Sequence, residues 1–303
     1  MLESENALNE LFSVRDFVRY GVTQFNGEGL YFGHGTDNAL DESTALVLYA
    51  LHLPHDMPGH FMDAMLLETE KSDILDLFNR RIKERTPVAY LTREAWFAGH
   101  KFYVDNRVLV PRSPIAELIN SQFSPWIEPE NVVSILDLCT GSACIAIALA
   151  YAFPDADVDA VDISQEALEV ATINVDQHHL TEQVELIQSD LFENLAGRKY
   201  DLIVSNPPYV DADEMASLPD EYRQEPALGL ASGVDGLDAI RIILQQAADF
   251  LNPDGILVAE VGASEEALQE AYPAAPFMWF DFEQGGGGVF MLTRDQLMQL
   301  RDF

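Results

Sequence analysis

Short apolar runs, each closed by a polar or turn-forming cluster, recur from residue 132 onward and predict buried strands. Val132-Val133-Ser134-Ile135-Leu136, Val158-Asp159-Ala160-Val161-Asp162, Val184-Glu185-Leu186-Ile187-Gln188, Asp201-Leu202-Ile203-Val204-Ser205, Ile256-Leu257-Val258-Ala259-Glu260 and Val289-Phe290-Met291-Leu292 have the length and composition of strands in an α/β sheet. Helical spacing lies between them. Residues 144–153 form one apolar run, and Leu237, Ile240, Leu244, Ala247 and Leu251 recur every three or four positions on one buried face, until Asn252-Pro253-Asp254-Gly255 stops that helix. Strands alternating with helices predict a parallel sheet. The run Gly285-Gly286-Gly287-Gly288 has no Lys-Ser/Thr after it and enters a strand, so it reads as a hairpin turn and not as a phosphate loop.

The first 93 residues carry a different rhythm. Ile74, Phe78 and Ile82 fall at helical spacing, Ser72 can cap the helix that holds them, and Pro54 and Pro58 break the pattern before it. Residues 1–93 therefore read as a separate helical domain. Residues 94–112 set Phe97, Phe102, Tyr103, Val108 and Val110 around Asp105-Asn106, which predicts a hairpin joining the helices to a sheet domain at 113–303. The acidic start Met1-Leu2-Glu3-Ser4-Glu5 lacks a cationic signal region, and no apolar stretch approaches a membrane span. The expected location is cytoplasmic.

Asn206-Pro207-Pro208-Tyr209 follows the strand at 201–205 directly. Two prolines fix φ and remove two N–H donors, the Asn206 oxygen and a neighbouring carbonyl can accept both protons of a planar NH2 group, and the Tyr209 ring can lie against its π-face. Such a clamp suits a weak nitrogen nucleophile; the plain alternative is a turn after a strand. A second constellation stands upstream, where the strand at 132–136 leads through Asp137-Leu138-Cys139-Thr140-Gly141-Ser142-Ala143 into a helix, the order of a nucleotide cradle. Asp162 ends the next strand about 20 positions beyond Gly141, where a Rossmann-like unit keeps its ribose acceptor. Ser189-Asp190-Leu191-Phe192 then offers a carboxylate and an aromatic face suited to adenine.

Together these segments resemble the class I S-adenosylmethionine-dependent methyltransferases, and specifically the protein-glutamine N5-methyltransferase family with its Asn-Pro-Pro-Tyr motif. The resemblance covers nearly the whole chain. It is carried further by Phe32-Gly33-His34-Gly35-Thr36-Asp37-Asn38, by Val110-Pro111-Arg112-Ser113-Pro114-Ile115-Ala116-Glu117, and by Glu221-Tyr222-Arg223-Gln224-Glu225-Pro226. In the release-factor branch, Pro-Arg is usually followed by Pro and an acidic residue; Ser113-Pro114-Ile115 resembles the branch acting on ribosomal protein L-three of the large subunit. The resemblance implies a Rossmann-like seven-stranded class I methyltransferase sheet with an N-terminal helical, substrate-recognising domain and a connecting β-hairpin. It implies methyl transfer from S-adenosylmethionine, with S-adenosylhomocysteine as product and no metal, to the N5 amide nitrogen of a glutamine in L-three, free or in an assembling large subunit. Carried over by residue, Asp137, Thr140 and Gly141 hold the methionyl part of the cofactor, Asp162 the ribose, and Asp190 with Leu191 the adenine. Phe102 matches an aromatic that closes over the cofactor. Asn206 and Pro207 bind the glutamine amide, Asn206 also bordering the cofactor, and Tyr209 packs on the amide. Cys139 and Ala143 stand where the family commonly has glycine, and the Ala143 methyl is expected to narrow the approach of backbone to cofactor.

Charge bears on the alternatives. With 17 Lys+Arg against 51 Asp+Glu and a formal net charge of −34, the chain lacks an evident phosphate-binding stripe, which argues against a nucleic-acid amino-methyltransferase that flips a base into the same clamp. Neither sequence-specific nucleic-acid binding nor membrane association is expected. Ser113-Pro114-Ile115 weakens a release-factor methyltransferase, and the presence of Asn206 and Asp162 weakens a non-catalytic ribosome-assembly adaptor. The acidic excess has two readings: steering of a basic ribosomal protein, or a Lys-poor surface adapted to concentrated salt. Cys139 and Cys144 read as small buried thiols, no Cys/His spacing suits zinc, and His52, His55 and His60 read as surface residues.

Overall fold

The computed structural model describes residues 8–283 and 285–300. Its contacts group the chain into two compact units, Met1–Glu94 with Pro219–Gln224, and Ala95–Leu218 with Glu225–Phe303.

The first unit is built on helices α1 (Val14–Gly27), α2 (Ala39–Ala50), α3 (Glu68–Lys83) and the short α4 (Val88–Thr92). A capping box starts α1, with the Asp16 carboxylate accepting the Ser13 N–H at 2.9 Å while the Ser13 hydroxyl accepts the Asp16 N–H. Gly21 lets α1 approach its neighbours: a Cβ there would lie 2.2 Å from the Ser43 Oγ and 2.6 Å from the Phe78 ring. Ser72 does not cap α3. The helix starts at Glu68, because the Glu70 carboxylate accepts the Leu67 N–H at 2.7 Å and satisfies an end donor one turn earlier. Pro219–Gln224, expected within 113–303, groups with these helices. Glu221 accepts from Arg81 at 3.2 Å and from the Tyr31 N–H at 3.1 Å, and the Tyr222 ring packs on His34 with centroids 4.5 Å apart.

The second unit opens with a hairpin of β1 (Ala95–Phe97) and β2 (His100–Phe102). Its turn is Ala98-Gly99, not Asp105-Asn106. Both turn residues have positive φ, +48° and +82°, as the tightest hairpin turn requires. Asp105 also starts a turn, closed by the Val108 N–H at 3.1 Å, but its carboxylate is taken by Arg107 and Tyr103 and no strands flank it. There follow α5 (Ile115–Asn120), β3 (Ser134–Leu138), α6 (Cys144–Ala152), β4 (Asp157–Asp162), α7 (Gln165–Gln177), β5 (Val184–Gln188), β6 (Tyr200–Ser205), α8 (Ala212–Ser217), α9 (Asp238–Phe250), β7 (Leu251–Glu260), α10 (Glu265–Ala271), β8 (Met278–Trp279), β9 (Val289–Thr293) and α11 (Arg294–Leu300).

Strands β3 to β9 form one seven-stranded sheet in the order β5-β4-β3-β6-β7-β9-β8. The first five are parallel; β9 is antiparallel to β7, and β8 to β9. This is the Rossmann-like class I methyltransferase arrangement that the sequence led us to expect. Separate apolar clusters cover the sheet, one containing the wholly apolar α6 and the other the buried face of α9. Strand β3 begins two residues later than the apolar run, since the Asp201 carboxylate captures the N–H groups of Val133 and Ser134 at 3.0 Å each. The two-residue β8 had no signal in the sequence, and the glycine run lies in its connection to β9. No helix among the described residues is long and apolar enough to cross a membrane.

Candidate active site

The direction of the sheet reverses between β3 and β6: from β3 the chain proceeds outward through β4 and β5, then returns to β6 and continues through β7. At such a switch point the loops at the carboxyl ends of adjacent strands diverge and leave a crevice, the usual ligand position in an α/β sheet. Leu138 and Ser205 are register partners at those ends, and the Ser205 hydroxyl donates to the Leu138 carbonyl at 2.9 Å. The turn beginning at Cys139 and the segment beginning at Asn206 therefore leave the sheet side by side.

The first loop folds tightly because Cys139, Gly141 and Ala143 all take positive φ, +63°, +56° and +62°. A Cβ on Gly141 would meet open space, so backbone there lies uncovered. Beneath it Asp137 is fully buried. One of its oxygens accepts from the Thr140 hydroxyl at 2.5 Å and the Ala146 N–H at 3.1 Å, while Oδ1 has no hydrogen-bond partner among the described residues. Burial, against those two bonds and aided by the nearby Asp162 charge, pushes the Asp137 pKa up to about 7. Thr140 thus commits its hydroxyl to Asp137. Asp162, at the end of β4, accepts the Gly141 N–H on one oxygen and the Ser164 N–H on the other, both at 2.9 Å, and burial raises its pKa against them. Each oxygen keeps a lone pair for a further donor. Asp190 is exposed in the loop after β5, followed by Leu191 at φ +46°.

Phe102 is fully buried in the cluster around α6, its ring 5.0 Å from that of His178. The Ala143 methyl is fully buried in the same cluster and does not stand in the cradle, so its cost is the positive φ of a non-glycine residue and not a narrowed approach. Cys144 is buried, and burial pushes its thiol up to about 12; Cys139 is half-buried with its thiol also raised by burial. His52, His55 and His60 are exposed. Among the described residues no cluster of three or more His, Cys, Asp or Glu is arranged to hold a metal.

The second loop is held from behind. Asn206 is half-buried and Pro207 buried, the Tyr209 hydroxyl donates to Glu260 at 3.0 Å, and the Ser264 hydroxyl donates to the Tyr209 carbonyl at 2.8 Å. Val210 exchanges backbone bonds with Leu230 and Ser232. Arg112 donates to Glu225 through two bonds of 2.6 and 2.8 Å, and Glu225 also accepts the Val110 N–H, so two motifs far apart in sequence prove to be partners. Glu260, which no motif singles out, is the residue that sequence reasoning left unassigned. Its only sequence signal is a charge closing an otherwise apolar strand.

Comparison with known proteins gives the family. The family model of the methyltransferase small domain matches residues 124–219. The chain is 54% identical over 293 residues to the ribosomal protein uL3 glutamine methyltransferase of Neisseria gonorrhoeae, covering 96% of this chain and 98% of that one. The protein of the same name from Neisseria meningitidis serogroup A is also 54% identical, over 96% of each chain. Among solved structures, the hMettl16 catalytic domain in complex with the MAT2A 3'UTR hairpin 6 is 15% identical over 74% of this chain and 81% of that one, with a TM-score of 0.51, a likeness of fold alone.

Proposed function

The chain belongs to the family of ribosomal protein uL3 glutamine methyltransferases, and from that premise we propose that it transfers a methyl group from S-adenosylmethionine to the N5 side-chain amide nitrogen of a glutamine in uL3, the large-subunit protein L-three. The observation that carries the reading is the side-by-side exit of the acidic turn and the Asn-Pro-Pro-Tyr segment from the switch point of the sheet. The relatives favour it over a release-factor enzyme, a nucleic-acid methyltransferase and a non-catalytic adaptor.

The residues present fit the cofactor. The unpartnered Oδ1 of Asp137 is an acceptor in want of a donor, the open backbone at Gly141 admits close approach, and Asp162 offers a fixed carboxylate. We assign Asp137 and Gly141 to the methionyl part, with Thr140 acting through Asp137; Asp162 would hold the ribose hydroxyls, and Asp190 with Leu191 the adenine. When bound, the cofactor supplies an electrophilic methyl on a sulfonium and departs as S-adenosylhomocysteine.

The chain's own task is to make an amide nitrogen react. Its lone pair is delocalised into the carbonyl, so it must be aimed and enriched. Asn206 Oδ1 and the Pro207 carbonyl would each accept one N–H, and Pro207 and Pro208 add no competing donor. Tyr209 would lie against the amide plane. Holding both reactants in attack geometry is worth roughly 7–11 kcal/mol in favourable cases, and fixed acceptors gain strength as positive charge develops on nitrogen. With the new N–C bond made and the S–C bond broken, the amide nitrogen would shed one proton to solvent or a weak acceptor. We assign recognition of uL3, free or in an assembling subunit, to the helical unit and the segment 211–233.

Asp137 gives the cofactor site a pH dependence. Burial pushes its pKa up to about 7, and only its ionised form can hold a cationic amino group. Affinity for S-adenosylmethionine should fall by up to about tenfold per pH unit below that value. Calorimetry in buffers of different ionisation heat should register a proton released on binding, and a pH-independent affinity would remove Asp137 from this role. The function itself is tested by incubating the protein with labelled cofactor and uL3 and mapping label by mass spectrometry. One methyl on one glutamine is expected, with release factors poor acceptors; efficient methylation of a release factor and none of uL3 would reverse the substrate assignment.

A further inference from the structure

Glu260 closes β7 beside the clamp, since its predecessor Ala259 is the register partner of Ser205, which precedes Asn206. It is buried, 5% exposed, and both oxygens are engaged. Oε1 accepts from the Tyr209 hydroxyl at 3.0 Å, and Oε2 from the Ser113 hydroxyl at 2.5 Å. Ser113 is itself oriented by the Ile115 N–H, which donates to its Oγ at 3.2 Å and leaves the hydroxyl proton for Glu260. A carboxylate receiving two O–H donors is satisfied when ionised. Protonated, it would carry a donor of its own in competition with one of them.

The Tyr209 ring is confined on another side. A Cβ on Gly262 would lie 2.5 Å from its Cε2, so the ring rests directly on that backbone. Gly262 in turn meets Gly288: a Cβ there would lie 2.2 Å from the Gly262 carbonyl oxygen, and the Gly288 carbonyl accepts the Val261 N–H at 2.7 Å. The end of the glycine run thus lets the entry to β9 press against the floor under Tyr209.

We propose that Glu260 is a positioning residue for methyl transfer: as an ionised carboxylate locked by Ser113, it fixes the Tyr209 hydroxyl and so the plane of the ring that orders the substrate amide. The inference rests on the reading of Tyr209 as part of the amide clamp. Ser113 and Tyr209 face Glu260 by hydrogen bond, and Arg112, paired with Glu225, faces it by charge. Burial raises the Glu260 pKa and these three groups oppose the rise, so loss of the Ser113 donor must raise it further.

The test uses the full chain with S-adenosylmethionine and uL3. Tyr209→Phe, which deletes the hydroxyl, and Glu260→Gln, which deletes the charge that holds it, should each lower kcat roughly ten- to hundredfold with cofactor affinity unchanged, and the double variant should be no slower than the slower single, since both act on the same contact. Ser113→Ala should move the acidic limb of the kcat profile to higher pH, and Ser113→Thr should restore it. A double variant whose loss is the product of the two singles, or a Ser113→Ala profile superimposable on that of the parent, would overturn the proposal. Should Glu260→Gln fail to fold, the Ser113 pair decides alone. Asn206→Ala separates the two levels: full turnover without Asn206 would refute the clamp, whereas loss of turnover there with independent effects at Tyr209 and Glu260 would refute only the role of Glu260.

Discussion

Replacing Asn206 with alanine should leave cofactor binding intact and slow methylation of uL3 by about 10²–10³-fold, the loss expected when one preorganised group facing a developing charge is removed. Asn206 stands just past the last register pair of β6, so its side chain can be truncated without breaking the sheet. On the proposed reading, what disappears is the acceptor that aims the amide nitrogen, while the acidic turn and Asp162 remain in place for the cofactor. Asp162→Ala should behave in the opposite way. Its carboxylate ties down the Gly141 and Ser164 N–H groups and keeps acceptor capacity, which we assign to the ribose, so its removal should weaken cofactor binding by roughly 1.5–3 kcal/mol. At saturating cofactor, Asp162→Ala should recover much of its rate, and Asn206→Ala none. Calorimetry combined with single-turnover methylation checks both arms, and equal loss of cofactor affinity in the two variants would contradict the division of labour.

The sheet was legible because its central strands are buried on both faces and must be written as continuous apolar runs; 201–205 and 256–260 lie within such strands, and the helix read from Leu237 to Leu251 is observed at Asp238–Phe250. The site loops were legible for a related reason. An acidic residue closing a strand beside a small-residue turn, and two consecutive prolines after a strand, are costly choices that a plain connection does not need. Features set by tertiary partners were not legible. Phe102 has the same sequence character whether it is exposed or buried, and its place in the α6 cluster is set by tertiary packing. Asp105-Asn106 looks more turn-like than Ala98-Gly99, yet the hairpin forms at the pair whose flanking residues find strand partners. Glu221 and Glu225 stand in one short motif, but nothing in the motif says that they pair with Arg81 and Arg112 respectively.

Arg81→Ala should destabilise the helical unit by about 3–5 kcal/mol, the cost of removing one partner from a buried ion cluster. Arg81 is fully buried, with Nε 2.7 Å from one Glu42 oxygen, Nη1 3.2 Å from Glu221, and Nη2 2.8 Å from the Tyr31 carbonyl. Burial lifts the Glu42 pKa above the usual range against the pull of Arg81 and Thr36. For Glu221 burial acts in the same sense, but the N–H groups of Tyr31 and of Glu221 itself, with the Arg81 charge, outweigh it and hold the pKa low. Without the guanidinium, the buried Glu42 loses its ion-pair partner and Glu221 is left with Arg85, whose Nη1 lies 3.5 Å away. Their pKa values must then rise, so the destabilisation should be largest near neutral pH and shrink as acid protonates them. Arg81→Lys should recover only part of the loss, because one compact ammonium cannot replace the planar fork that reaches Glu42, Glu221 and the Tyr31 carbonyl together. Urea denaturation followed by hydrogen exchange of amides in α2 and α3 measures the effect. A loss in Arg81→Ala below about 1 kcal/mol, the range of an exposed ion pair, would mean that the cluster is not what binds Pro219–Gln224 to the helices, and the ring packing of Tyr222 on Tyr31 and His34 would have to carry that segment instead.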